Sequence, residues 1–235
     1  LKEKKPAAEI IMASKKAAAA AEKYGSASVK ENAGKVLVAG YGALASDFIT
    51  KKDYGNALLA LDSSLVINPS YLNAIYNKAL VYRNQDNTAA FEETVDLFIE
   101  KAVAASDTVK AKQASVMALE YFRASGSQDV KDNKLDEALV LLNKAAKYGD
   151  DKDLFYFFAD VYNKQKNFTS GAEYAQKGLA LETGEAEAKA KFYYQLAVAQ
   201  LGKGETAPAC ESFKNAMFGP FAAAAKAQRT NLKCE

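Results

Sequence analysis

The chain has 235 residues, 49% hydrophobic and 26% charged, with a net charge of +2. That composition excludes a mainly disordered chain, and a charge so near zero gives no field to draw in nucleic acid or an acidic membrane. Only Pro6, Pro69, Pro208 and Pro220 interrupt an alanine-rich sequence, which favours helix because alanine costs least to hold there.

Apolar periodicity and punctuation predict twelve helices. They lie near residues 7–24, 28–50, 54–67, 71–84, 88–105, 109–125, 134–148, 152–165, 168–181, 185–201, 206–217 and 220–232. Gly25 ends the first. Asn68-Pro69 ends the third, since the residue before proline disfavours helix. Ser125-Gly126-Ser127-Gln128-Asp129 reads as a polar, glycine-containing loop after the sixth. Gly149 follows the seventh as a left-handed cap. Gly202-Lys203-Gly204 separates the tenth and eleventh, and Gly219-Pro220 stops one helix and starts the next. The first helix is alanine- and lysine-rich, with Ile10, Ile11 and Met12 as its sizeable apolar residues. It and the last helix, Phe221 to Leu232, have the polar character of end caps. Residues 1–30 carry seven lysines and three glutamates, read as a solvated basic face. No stretch approaches the ~20 apolar residues that span a bilayer, so no transmembrane segment is expected.

Catalytic chemistry is sparse. The absence of histidine removes the usual general base and the commonest metal ligand. Two cysteines cannot fill a four-ligand zinc site. Asp150-Asp151-Lys152-Asp153 lies at a helix start, where acids suit the helix dipole. Gly202-Lys203-Gly204-Glu205-Thr206 lacks the spacing of a phosphate loop and follows a helix rather than a strand. The reading is therefore no enzyme, no metal and no cofactor. Cys210 and Cys234 are either bridged or stand as one buried and one frayed-end thiol. The chain starts at Leu1 rather than methionine. With the paired cysteines, that leans the reading toward an exported or periplasmic protein, cytoplasmic being the alternative.

An internal repeat organises the predicted helices. Tyr41-x2-Leu44-Ala45-x2-Phe48 is followed by Ala57-x3-Leu61 and then Pro69, with twelve residues from Ala45 to Ala57. The same twelve separate Ala159 from Gly171, after Phe155-x2-Phe158 and before Tyr162. They also separate Ala197 from Ala209 in Tyr193-x2-Leu196-Ala197 and Ala209-x3-Phe213. Two further units fit with insertions. Ile75-x2-Lys78-Ala79-x2-Tyr82 precedes Val95-x3-Ile99, with four extra residues placed in the turn around Asn84 to Thr88 or in the next helix. Ala118-x2-Tyr121 precedes Ala138-x3-Leu142, with eight extra placed in the loop at 125–129. In this pattern of large, small and aromatic residues the chain resembles the tetratricopeptide repeat family.

The resemblance implies an all-α fold, a right-handed α-α superhelix of antiparallel helix pairs spanning 1–235 as one solenoid domain. Residues 1–37 would form an N-terminal capping helix and the start of the first repeat, 38–219 the helix-pair repeats, and 220–235 a C-terminal capping helix. The implied function is a non-enzymatic scaffold holding a protein or peptide in its concave groove. The alternative is a structural or assembly component of an envelope or secreted complex, contacting partners through its convex face or caps. The residue three before each small residue is placed on the groove: Gly42, Tyr76, Ser115, Tyr156 and Tyr194. Next to them stand Asn77, Phe157 and Gln195, then Ser46, Leu80, Asp160 and Val198, and one turn further Arg83 and Lys164. The candidate peptide-binding set is Tyr76, Asn77, Arg83, Tyr156, Asp160, Lys164, Tyr194 and Gln195. Two readings of the tyrosines stand: a ladder that holds a peptide, or packing between neighbouring units. Some family members hold a carboxylate through groove lysines and asparagines; Gly42 and Ser46 occupy those places here, and no such clamp is expected.

Overall fold

The computed structural model of the chain describes residues 6–235; Lys2, Lys4 and Lys5 of the basic N-terminal run lie outside them. The described residues form twelve α-helices and one 3-10 turn, with no strand. The helices are α1 (Ala7–Lys23), α2 (Ala27–Thr50), α3 (Tyr54–Ile67), α4 (Leu72–Asn84), α5 (Thr88–Ala104) and α6 (Thr108–Lys131). They continue with α7 (Leu135–Ala146), α8 (Lys152–Lys164), α9 (Phe168–Leu181), α10 (Ala186–Gly202) and α11 (Thr206–Asn215). The 3-10 turn Gly219–Phe221 leads into α12 (Ala222–Asn231).

The chain divides into two compact units, one ending at Ser115 and one spanning Val116–Glu235. In the first, α1 packs on α2, α2 on α3, α3 on α4 and α4 on α5, with α2 also touching α4. In the second, α7 packs on α8, α8 on α9, α9 on α10, α10 on α11 and α11 on α12, while α8 and α10 lie side by side.

One turn geometry recurs through both units. Lys52, Asp86, Asn133, Lys166 and Gly204 each take a left-handed backbone. The amide of the next residue reaches back to a carbonyl near the end of the preceding helix: Asp53 to Phe48 (2.9 Å), Asn87 to Tyr82 (3.0 Å), Lys134 to Asp129 (2.8 Å), Asn167 to Tyr162 (2.8 Å) and Glu205 to Gln200 (2.9 Å). This closure satisfies carbonyls that a helix end leaves open. Asp53, Asn87 and Asn167 then cap the following helix, each accepting a backbone N–H three residues on. Ser106 and Asp107 repeat the device between α5 and α6.

This geometry corrects both predicted insertions. Counting back seven residues from each left-handed residue gives Ala45, Ala79, Gly126, Ala159 and Ala197; counting forward five gives Ala57, Phe91, Ala138, Gly171 and Ala209. All ten are buried. The twelve-residue spacing therefore holds in all five hairpins. The counterpart of Ala57 in the second hairpin is Phe91, not Val95, and the turn before it has no extra residues. The predicted loop at 125–129 is helical, because α6 continues to Lys131. Gly126 is not a breaker there but a contact point: a Cβ on it would stand 2.9 Å from Leu142 Cδ2. The eight extra residues lengthen α6 by about two turns.

Small residues let the paired helices approach, and larger ones fill the flanks. Ala45, Ala57, Ala60, Leu61, Ala74 and Val81 form one core, lined by Tyr41, Leu44, Phe48 and Tyr54. In the second unit Ala197, Ala209, Phe213, Ala216 and Ala225 form another. The rings of Phe192 and Phe168 lie directly on Gly178 and Gly202, where a Cβ would come within 2.3 and 2.4 Å of ring carbons.

Candidate functional site

Moving the small residue of the third hairpin from Ala118 to Gly126 changes what stands three residues before it. That position belongs to Arg123, not Ser115, in register with Tyr156 and Tyr194. Gly126, twelve before Ala138, was the signal that identifies Arg123. In the second unit α6, α8 and α10 thus present Arg123, Tyr156 and Tyr194 at equivalent places.

An ion-pair network ties these helices together. Asp151 caps α8, accepting the Leu154 N–H at 2.9 Å, and the same carboxylate takes the Arg123 guanidinium of α6. Arg123 stands 3.8 Å from Asp153, which also pairs with Lys191 of α10. Burial pushes the Asp151 carboxyl up. The Arg123 hydrogen bond, the Leu154 amide and the guanidinium charge outweigh it, so the carboxyl sits below its ordinary range. A depressed carboxylate stabilises the fold above its unfolded value of about 3.9, and that contribution is lost as pH falls through the lower folded value. Asp151→Asn keeps a cap acceptor and removes the charge. The variant should be less stable than wild type to urea at pH 6, and the gap should be smaller at about pH 3, below the unfolded carboxylate value. A gap of equal size at both pH values would refute the ion-pair reading.

Beside this network lies a cavity of about 410 Å³, lined by Arg123, Ser127, Asp153, Tyr156, Phe157 and Lys191, with Ala124 and Phe221. Lys191 Nζ sits over the Tyr156 ring at 5.6 Å and over Phe192 at 5.0 Å. The Tyr156 ring meets Phe157 edge-on at 5.2 Å. Burial first, then the Asp160 charge, raises the Tyr156 hydroxyl above its ordinary pKa, a hydrogen bond with Gln195 working the other way. Tyr194 is half-buried between Phe213 (5.7 Å) and Phe221 (5.4 Å). The tyrosines of this unit therefore combine a packed flank with an open one.

The other candidates divide. Asp160 is half-buried and pairs with Lys164 at 2.9 Å. Gln195 faces inward: it is buried, its Nε2 donates to Asp160 Oδ1 (3.1 Å), and its carbonyl and Oε1 each accept from Asn163 Nδ2 (2.9 Å). It is a packing residue linking α8 to α10. Tyr76, Asn77 and Arg83 belong to α4 in the first unit; Tyr76 is 36% exposed, its ring 5.6 Å from Phe98. Cys210 and Cys234 are joined in a disulfide with Cα atoms 5.6 Å apart. Among the described residues no cluster of His, Cys, Asp and Glu could hold a metal ion, and no helix is long and apolar enough to cross a membrane.

No protein-family model matches the chain, and no curated protein does. It is similar to several solved structures. A tetratricopeptide repeat protein from Parabacteroides merdae ATCC 43184 is 14% identical, with a TM-score of 0.42 over 96% of this chain and 99% of that one. MamA is 17% identical, with a TM-score of 0.43 over 85% and 97%. YrrB, described as a TPR protein with an unusual peptide-binding site, is 18% identical, with a TM-score of 0.45 over 81% and 91%. With five hairpins built on one twelve-residue spacing and one turn geometry, the chain has a tetratricopeptide-type helical-repeat fold.

Proposed function

We propose that the chain is a non-enzymatic scaffold that holds a protein or peptide on the α6–α8–α10 face of its second unit. One observation carries this reading. Arg123 and Tyr156, at equivalent positions of successive hairpins, meet Lys191 and Phe157 around a single cavity, and Tyr194 stands at the next equivalent position. Paired aromatic and charged groups of this kind suit a peptide, because rings offer contact area at low entropy cost and polar tips fix register. Asp160 and Lys164 continue the polar part of the face along α8. Tyr76, Asn77 and Arg83 are proposed as the corresponding contacts of the first unit.

The test is affinity capture from source cells with the full chain, comparing wild type with a Tyr156→Ala/Tyr194→Ala variant whose helicity is checked by circular dichroism. Partners bound by wild type should be lost from the folded variant. Retention of every partner would overturn the reading. A second reading, an assembly component contacting partners through its ends, draws on exposed apolar residues of α1 and α2: Met12 (56% exposed), Val29 and Val36. A sedimentation series showing concentration-dependent association, abolished by Met12→Lys/Val36→Lys, would favour it.

A further inference from the structure

One wall of the cavity comes from the far end of the chain. The 3-10 turn Gly219–Phe221 folds back onto α10, so closely that a Cβ on Gly219 would meet Glu187 Oε1 at 2.7 Å. Gly219 has a φ of 50°, a left-handed conformation that glycine adopts freely. The turn places the Phe221 ring against Tyr194 and along the edge of the cavity that holds Tyr156 and Phe157. Three ties hold the segment from behind. The Cys210–Cys234 bridge joins α11 to the residues after α12. Arg229 donates to the Cys210 carbonyl at 2.6 Å and to the Glu235 carbonyl at 2.5 Å. Ala225 is fully buried in the core with Phe213 and Ala216.

We propose that Phe221, held in place by the Cys210–Cys234 bridge, closes an aromatic pocket that receives a neutral aromatic side chain of a partner peptide. The proposal rests on the peptide-binding reading above and names the anchor residue. The charges on the rim argue for a neutral guest. Arg123 and Lys191 are already matched by Asp151 and Asp153, so an ionic guest would have to break an existing pair. Lys191 already occupies the cation position over Tyr156. What the cavity offers is the rings of Tyr156, Phe157 and Phe221, which favour edge-on or offset contact with another ring. Tyr156 on Phe157 shows the edge-on contact within the chain.

The probe is N-acetyl-phenylalaninamide, titrated into the full ¹⁵N-labelled chain and followed by amide chemical shifts. Shifts at Tyr156, Phe157, Lys191 and Phe221 are expected, with Kd on the order of 1–10 mM. Phe221→Ala and the doubly substituted Cys210→Ser/Cys234→Ser chain should each bind about fivefold or more weakly. N-acetyl-alaninamide should leave the signals unmoved. No shift with the aromatic probe, equal affinity in Phe221→Ala, or equal affinity in the bridge-less chain overturns the proposal. The two readings fail separately. Loss of partners from Tyr156→Ala/Tyr194→Ala with no effect of Phe221→Ala sinks the pocket and keeps the scaffold. Probe binding that depends on Phe221 while every partner is retained does the reverse.

Discussion

Gly171→Ala is expected to destabilise the second unit by about 3 kcal/mol. Gly171 begins the path of α9 past α8, and a Cβ there would stand 2.1 Å from Asn163 Oδ1 and 2.8 Å from Cγ. Asn163 has nowhere to retreat. It is 6% exposed, and its amide nitrogen is held by two 2.9 Å bonds to Gln195 of α10. Its Oδ1 accepts no hydrogen bond among the described residues, and it occupies the space that the missing side chain of Gly171 leaves. The methyl group must therefore displace backbone or break the Asn163–Gln195 bonds, which would leave buried polar groups unpaired. Gly55→Ala provides the contrast. It lies in α3 with nothing within 4 Å of an added Cβ, and should raise stability by about 0.5 kcal/mol. Urea denaturation of both variants checks the pair, and a Gly171→Ala loss below about 1 kcal/mol would refute the packing argument. Adding Asn163→Ala to Gly171→Ala should recover part of the loss, since two clashing neighbours do not add independently.

The same contact shows what was readable from sequence. The spacing from Ala159 to Gly171 and from Ala45 to Ala57 is a local regularity, visible because small residues recur where helices cross. Helix ends were readable for a related reason: Asn68-Pro69 and Gly25 act on the backbone beside them, whereas Gly149, at φ 147°, lies three residues past the end of α7 and does not cap it. Gly126 behaved differently. Its neighbours Ser125, Ser127 and Asp129 are turn formers, and the polar local composition alone reads as a loop. What keeps α6 helical through them is tertiary, the approach of Leu142 and Ala138 to a residue without a side chain. Misplacing Gly126 hid Arg123, since the register of the groove is counted from the small residue. Phe91 was missed in the opposite way, a large residue at a place where the pattern expects a small one. Gln195 read as a groove residue, yet it turns inward because Asn163, thirty-two residues earlier, offers it two hydrogen bonds. Contacts of that kind depend on which helix comes to lie alongside, and no periodicity within one helix encodes them.

Replacing Cys210 and Cys234 together by serine is expected to release the last turns of the chain while leaving the rest of the second unit folded. The bridge closes a loop with a sequence separation of 24, for which chain entropy gives about 3.5 kcal/mol. Little else holds the segment. α12 has ten residues, fewer than the ~12–15 that a helix needs to persist alone. Its one fully buried side chain is Ala225, with Leu232 partly covered, and a methyl group contributes only about 0.8 kcal/mol. The Arg229 bonds reach Cys210 and Glu235, which the bridge itself holds near each other. Without it, opening of residues 222–235 should become roughly 300-fold more frequent, read as lost hydrogen-exchange protection. Amides of α8 and α9 should change by no more than a few-fold, because their cores rest on Phe158, Ala159, Ala175 and Tyr174. Reduction of the unsubstituted chain should reproduce the pattern and so separate loss of the bridge from the new serine hydroxyls. Unchanged protection over 222–235 in both experiments would mean that Ala225, Leu232 and Arg229 suffice to dock α12. Phe221 would then be positioned by packing alone, and the bridge would have no part in shaping the pocket.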